Sequence, residues 1–166
     1  MLKKLLCLTA TIVLVSACQT TETNEGEGGT YGQQGYGQGQ HGVSNAAPGT
    51  MQDMVVNVGD RIFFEFDRSD ITSDARDTLD RQAVWLKKFG DVKIIVEGHT
   101  DERGTREYNL ALGERRAMAA RNYLVAAGIV PSRISTVSYG KERPAVAGST
   151  ESAWAQNRRS VTVVAQ

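Results

Sequence analysis

The sequence predicts an α+β fold in which two main helices pack on one face of a small mixed β-sheet. Three observations predict it. The composition breaks near residue 50: of 17 glycines, nine fall before that point. After Cys18, Val43 is the only aliphatic residue larger than alanine in this stretch, so the core lies beyond it. Past the break, period-two apolar runs alternate with runs of three- and four-residue spacing, and the chain closes on a final strand. No internal repeat appears, and 166 residues suit one domain with an extended appendage.

The elements follow in order. Ile62, Phe64 and Phe66 alternate in a strand over 61–66, which Asp67-Arg68-Ser69-Asp70 breaks. A helix follows, with Ser73 or Asp74 as cap; Leu79, Ala83, Leu86 and Phe89 form its apolar face and Gly90 stops it. Val92, Ile94 and Val96 mark a second strand ending in the polar loop 98–104. A longer helix spans 105–127, with Gly128 as its C-terminal signal. Strands return at 133–139 and 159–165, joined by a turn-rich connection through Pro144 and Gly148.

Before the domain lies an address. Lys3 and Lys4 precede a short apolar run from Leu5 to Val15, too short for the roughly 20 residues of a membrane-spanning helix. Val15-Ser16-Ala17-Cys18 resembles a bacterial lipobox, so residues 1–17 read as a lipoprotein signal peptide and Cys18 as the lipidation site. Acyl chains there anchor the protein, since each buried methylene contributes about 0.8 kcal/mol. Gln19, where an aspartate favours inner-membrane retention in such lipoproteins, points to the outer membrane. Residues 18–50 form the lipidated N-terminus and a Gly/Gln-rich tether expected to be disordered, and 51–166 the folded domain. A coil of that length spans roughly 30 Å on average and on the order of 110 Å when stretched.

Composition excludes several functions. Nineteen basic residues balance 19 acidic ones, so no strongly basic surface serves nucleic acid. Cys7 leaves with the signal, which precludes an intrachain disulfide. His99 is the only histidine beyond the tether, too few ligands for a zinc site, and no cofactor motif is present. Asp67, Asp101 and Glu102 keep one enzyme class open, a glycan-cleaving hydrolase using an acid pair.

Two residues break the pattern of the second helix. Asn109 and Arg116 fall within its apolar stripe of Leu112, Ala120, Tyr123, Leu124 and Ala127. A guanidinium on a core face must meet a carboxylate. Either Asp101 or Glu102 supplies it in a salt bridge that locks loop to helix, or a ligand does. Residue chemistry alone ranks the structural bridge between Arg116 and Asp101 first; polar residues of both signs at the strand end, with Asp67 after another, pull the other way, toward a pocket that suits a zwitterion.

The run Val96-Glu97-Gly98-His99-Thr100-Asp101-Glu102-Arg103-Gly104-Thr105, with Glu107-Tyr108-Asn109, Leu112 and Arg115-Arg116-Ala117, resembles the OmpA-like peptidoglycan-binding domain family. Ser138-Tyr139-Gly140-Lys141-Glu142-Arg143-Pro144 and Asn157-Arg158-Arg159 narrow the likeness to its lipoprotein members, over about residues 60 to 165. The resemblance implies an OmpA-like sandwich and no catalysis. Its implied ligand is meso-diaminopimelate of the peptidoglycan stem peptide, with Arg116 on the carboxylate and Asp101 on the ammonium. Phe66, Asp67, Arg103 and Leu112 would line the pocket and Asn109 support it. It also implies an outer-membrane lipoprotein facing the periplasm in the Tol/Pal system, a TolB-like periplasmic propeller protein as partner, and a role in outer-membrane constriction at division. A flagellar-stator relative would share the domain but begin with a true membrane span.

Overall fold

The structure is a computed structural model and describes residues 46–165. The expected signal peptide, Cys18 and nearly all of the expected tether lie outside the described residues. No helix among the described residues is long and apolar enough to cross a membrane.

The described chain opens with a turn at 47–50 and a short helical segment, α1 (Met51–Asp53), which runs into a π-turn over Met54–Val58. The Asp53 carboxylate secures this segment, accepting from Gly49 N (2.9 Å), Asn57 Nδ2 (2.7 Å) and Trp85 Nε1 (2.8 Å). Gly59, at φ 97, then turns the chain into β1 (Arg61–Phe63), shorter than the alternation predicts. Helix α2 (Ser73–Lys88) starts one residue earlier than expected at its cap: the Thr72 hydroxyl accepts from Ala75 N. Strand β2 (Ile94–His99) leads through loop 100–105 into helix α3 (Arg106–Ala126), capped by Thr105. A 3-10 turn at Pro131–Arg133 precedes β3 (Ile134–Gly140). The turn-rich connection holds a helix that periodicity misses, α4 (Glu151–Asn157), before β4 (Arg159–Val164).

The sheet order is β1-β4-β2-β3. Strands β2 and β3 are parallel and both other pairings antiparallel, so the sheet is mixed, as expected. One face carries Ile62, Ile94, Val96 and Ile134, buried with Leu79, Leu86, Ala117 and Leu124 of α2 and α3. Buried Gln82 enters beside this core in bonded form, donating to Gly59 O (2.7 Å) and accepting from Thr162 Oγ1 (2.9 Å).

Helix α3 crosses β2 at a pair of glycines. A Cβ on Gly98 would sit 1.8 Å from the Gly113 carbonyl oxygen, so only glycine permits the approach. That crossing sets Asn109, Leu112 and Arg116 against the loop leaving β2. Gly98→Ala is expected to lower stability by about 3 kcal/mol, read by urea unfolding, because backbone and not a flexible side chain must move aside. Unchanged stability would show that the crossing tolerates separation.

Candidate functional site

Two strand-end loops and the first turns of α3 enclose a cavity of about 180 Å³. Phe66, Asp67, Asp101, Arg103, Asn109, Leu112 and Arg116, the residues singled out from the sequence, all line it. Thr100, Gly104 and Tyr108 complete the wall and were not anticipated. The space is smaller than the roughly 300–1,000 Å³ of drug-sized sites and suits the end of a side chain.

The first loop follows β1. Asp67 adopts φ 57, a left-handed backbone conformation uncommon outside glycine. The Tyr108 hydroxyl donates to its carboxylate across a separation of 41 residues. Phe66 beside it stands 57% exposed at the rim.

The second loop follows β2 and is tied from several sides. Buried Asn109 donates through Nδ2 to Arg103 O (2.8 Å) and Thr105 O (3.0 Å). Lys141 Nζ reaches Gly104 O (2.7 Å). The Asp101 side chain is buried, and Arg103 takes both its oxygens: Nε and the backbone N–H meet Oδ1 (3.2 and 3.1 Å), and Nη2 meets Oδ2 (2.6 Å). Arg158 Nη1 stands 3.6 Å behind and pairs through Nη2 with Glu151 (2.8 Å). Burial alone would raise the Asp101 carboxyl, but the bonds and charge of Arg103 and the charge of Arg158 hold it below the usual range.

Arg116 departs from expectation. It is fully buried, yet no protein carboxylate lies within salt-bridge distance among the described residues, and the anticipated pair with Asp101 or Glu102 is not formed. Three backbone carbonyls take its place: Nε donates to Arg68 O (2.8 Å), Nη1 to His99 O (2.9 Å) and Nη2 to Glu65 O (3.1 Å). Carbonyl oxygens turned inward at two loops supply the partial negative charge that a carboxylate would. A guanidinium carries five N–H donors, so one hydrogen remains on each terminal nitrogen. Desolvation lowers its pKa to about 10, partly offset by the charge of Asp101, and it stays cationic at neutral pH. The cavity thus offers an incompletely neutralised cation beside two carboxylates.

Glu102 does not line the cavity. Hydrogen bonds from Ser149 and Trp154 hold its carboxyl below the usual range. A glycosidic general acid requires a raised pKa, the opposite of what Asp101 and Glu102 show. No group of three or more metal-binding side chains occurs among the described residues.

His99 ends β2 with its ring beside Tyr139, 2% exposed, and Glu97 Oε2 at 3.4 Å from its Nε2. Burial, then the charge of Arg159, lowers its pKa to about 4, against 6.5 when unfolded. The unfolded chain therefore binds the extra proton between these values, and stability falls as pH drops from about 6.5 to about 4. The loss is about 3 kcal/mol at most. Urea unfolding across that range should show the slope in wild type and a flatter one in His99→Gln; equal slopes would remove His99 as its source.

The chain is similar in sequence and fold to known proteins. Residues 63–158 match the OmpA family model. Over 126 residues the chain is 57% identical to a protein named peptidoglycan-associated lipoprotein from Mesorhizobium japonicum, covering 76% of this chain and 75% of that one. A protein of the same name from Rhizobium meliloti is 58% identical over 123 residues, covering 74% and 70%. Neither is named as an enzyme. The crystal structure of the peptidoglycan-associated lipoprotein from Burkholderia pseudomallei superposes with a TM-score of 0.62 at 40% identity, over 64% of this chain and 90% of that one. The C-terminal domain of Helicobacter pylori MotB gives 0.60 at 25% identity, over 64% and 84%. A family match across most of the folded part, joined to relatives above half identity, leaves one assignment: the chain belongs to the OmpA family.

Proposed function

We propose that this protein is a non-catalytic lipoprotein that binds peptidoglycan through the diaminopimelate end of the stem peptide and links the outer membrane to the wall. The observation that carries this reading is Arg116: a buried cation with two N–H groups to spare, in a cavity that also presents Asp67 and Asp101. A side chain ending in a carboxylate and an ammonium complements both signs at once. The names of the relatives support the wall as target. Cys18 serves as anchor and residues 19–50 as reach, with the domain in the periplasm. Resemblance to the lipoprotein branch further supports a place in the Tol/Pal system, with a TolB-like propeller competing for the same face and a role in constriction at division.

The test incubates the full-length chain with intact sacculi, followed by titration with stem peptides. Retention on sacculi without released fragments, and tighter binding of a meso-diaminopimelate stem than of a lysine stem, is the expected result. Equal affinity for both stems would overturn the site, and released muropeptides would restore the hydrolase. Cys18→Ser should leave the protein unacylated and, once freed from peptidoglycan, absent from outer-membrane fractions.

A further inference from the structure

Arg103 is held more tightly than its ion pair with Asp101 requires. Its guanidinium carbon lies 4.0 Å from the Phe66 ring centroid and 4.0 Å from that of Trp154, so a planar cation sits between two aromatic rings. The edge formed by Nε and Nη2 is taken by Asp101. The remaining terminal nitrogen, Nη1, has the exposed Glu151 carboxylate 3.9 Å away, a loose and solvated pairing. Trp154 comes from α4 and does not line the cavity; its own Nε1 donates to Glu102 (3.1 Å), which fixes the indole. An arginine left to itself samples many rotamers, and stacking on both faces removes that freedom before any ligand arrives.

We propose that Trp154 is a specificity-determining positioning residue: by clamping Arg103 against Phe66 it presets Nη1 as a donor for a second carboxylate of the bound stem peptide. Arg116 meets the carboxylate that enters the cavity, and Arg103 one nearer the mouth, displacing the loose contact with Glu151. This inference rests on the wall-binding reading above. It assigns α4 a task in ligand choice although none of its residues touches the cavity.

The probes are two synthetic tripeptides, L-Ala-γ-D-Glu-meso-diaminopimelate with the glutamate α-carboxylate free or as its primary amide, titrated into the full-length chain. Wild type is expected to prefer the free acid by about tenfold, the scale of one hydrogen bond to a charged group. Trp154→Ala should bind both forms with less than about a twofold difference, while Trp154→Phe, which keeps an aromatic face, should restore the preference. A purely structural role for Trp154 would weaken both peptides alike and leave their ratio unchanged. A tenfold preference surviving in Trp154→Ala, or wild type binding both forms equally, would overturn the proposal. Wild type binding neither form would overturn the wall-binding reading itself, and this inference with it.

Discussion

Arg116→Leu is expected to destabilise the folded domain by about 4 kcal/mol and to abolish measurable binding of a diaminopimelate stem peptide. The stability loss comes from the three carbonyls of Glu65, Arg68 and His99 that the guanidinium gathers. Leucine fills much of the volume and satisfies none of them, so buried acceptors are stranded at the junction of two loops. Against a total stability of roughly 5–15 kcal/mol such a loss approaches the threshold of folding, and unfolding must be measured before binding. Arg116→Lys separates the two roles. It restores a charge on the cavity floor, yet one ammonium cannot span three carbonyls and still present a planar fork. It should recover part of the stability and little of the affinity. Urea unfolding as stable as wild type in Arg116→Leu would remove the scaffold role. Unchanged affinity in the folded fraction would remove the ligand role.

The same residue shows how far the sequence could be read. An arginine in the apolar stripe of α3 was visible as an anomaly because helical periodicity fixes the direction of a side chain. Its partners were not visible, because carbonyls from residues 48 and 51 positions away converge only in the folded chain. The strands β2, β3 and β4 and helices α2 and α3 were legible because each is long enough for its period to repeat. The segment at Met51–Val58 and the seven-residue α4 were not: neither runs much beyond two turns, and α4 lies in a stretch whose Pro144 and Gly148 read as turns. The one local signal for α4 was Thr150, whose hydroxyl caps it at Ala153 N. Missing α4 hid Trp154 and Glu151, and with them the contacts that hold Arg103 and Arg158 beside Asp101. Tyr108 escaped for another reason: its partner Asp67 lies on a different loop, and nothing near Tyr108 in sequence announces that contact.

Asp101→Asn should leave the fold standing while weakening diaminopimelate binding by about ten- to a hundredfold, the range of one to two charged hydrogen bonds. The charged groups lining the cavity are balanced in wild type, Asp67 and Asp101 against Arg103 and Arg116. Asparagine keeps one acceptor for Arg103 but turns an NH₂ toward the other guanidinium nitrogens, so the fork at 2.6 and 3.2 Å loses one arm. Arg158 keeps Glu151 at 2.8 Å, and the Phe66 and Trp154 rings still flank Arg103, which is why the loop holds its place. What the variant loses is the counter-charge for an ammonium, and the cavity becomes net positive. The consequence is a change of preference and not only of strength. A ligand carrying a carboxylate without an ammonium, such as a stem analogue whose terminal amine is acetylated, should lose less affinity than the natural zwitterion, or gain. Titration of both ligands into wild type and Asp101→Asn, with unfolding at pH 7 as control, measures this directly. Equal losses for the two ligands would mean that Asp101 serves the protein alone, through Arg103 and Arg158, and that Asp67 is the carboxylate facing the ammonium.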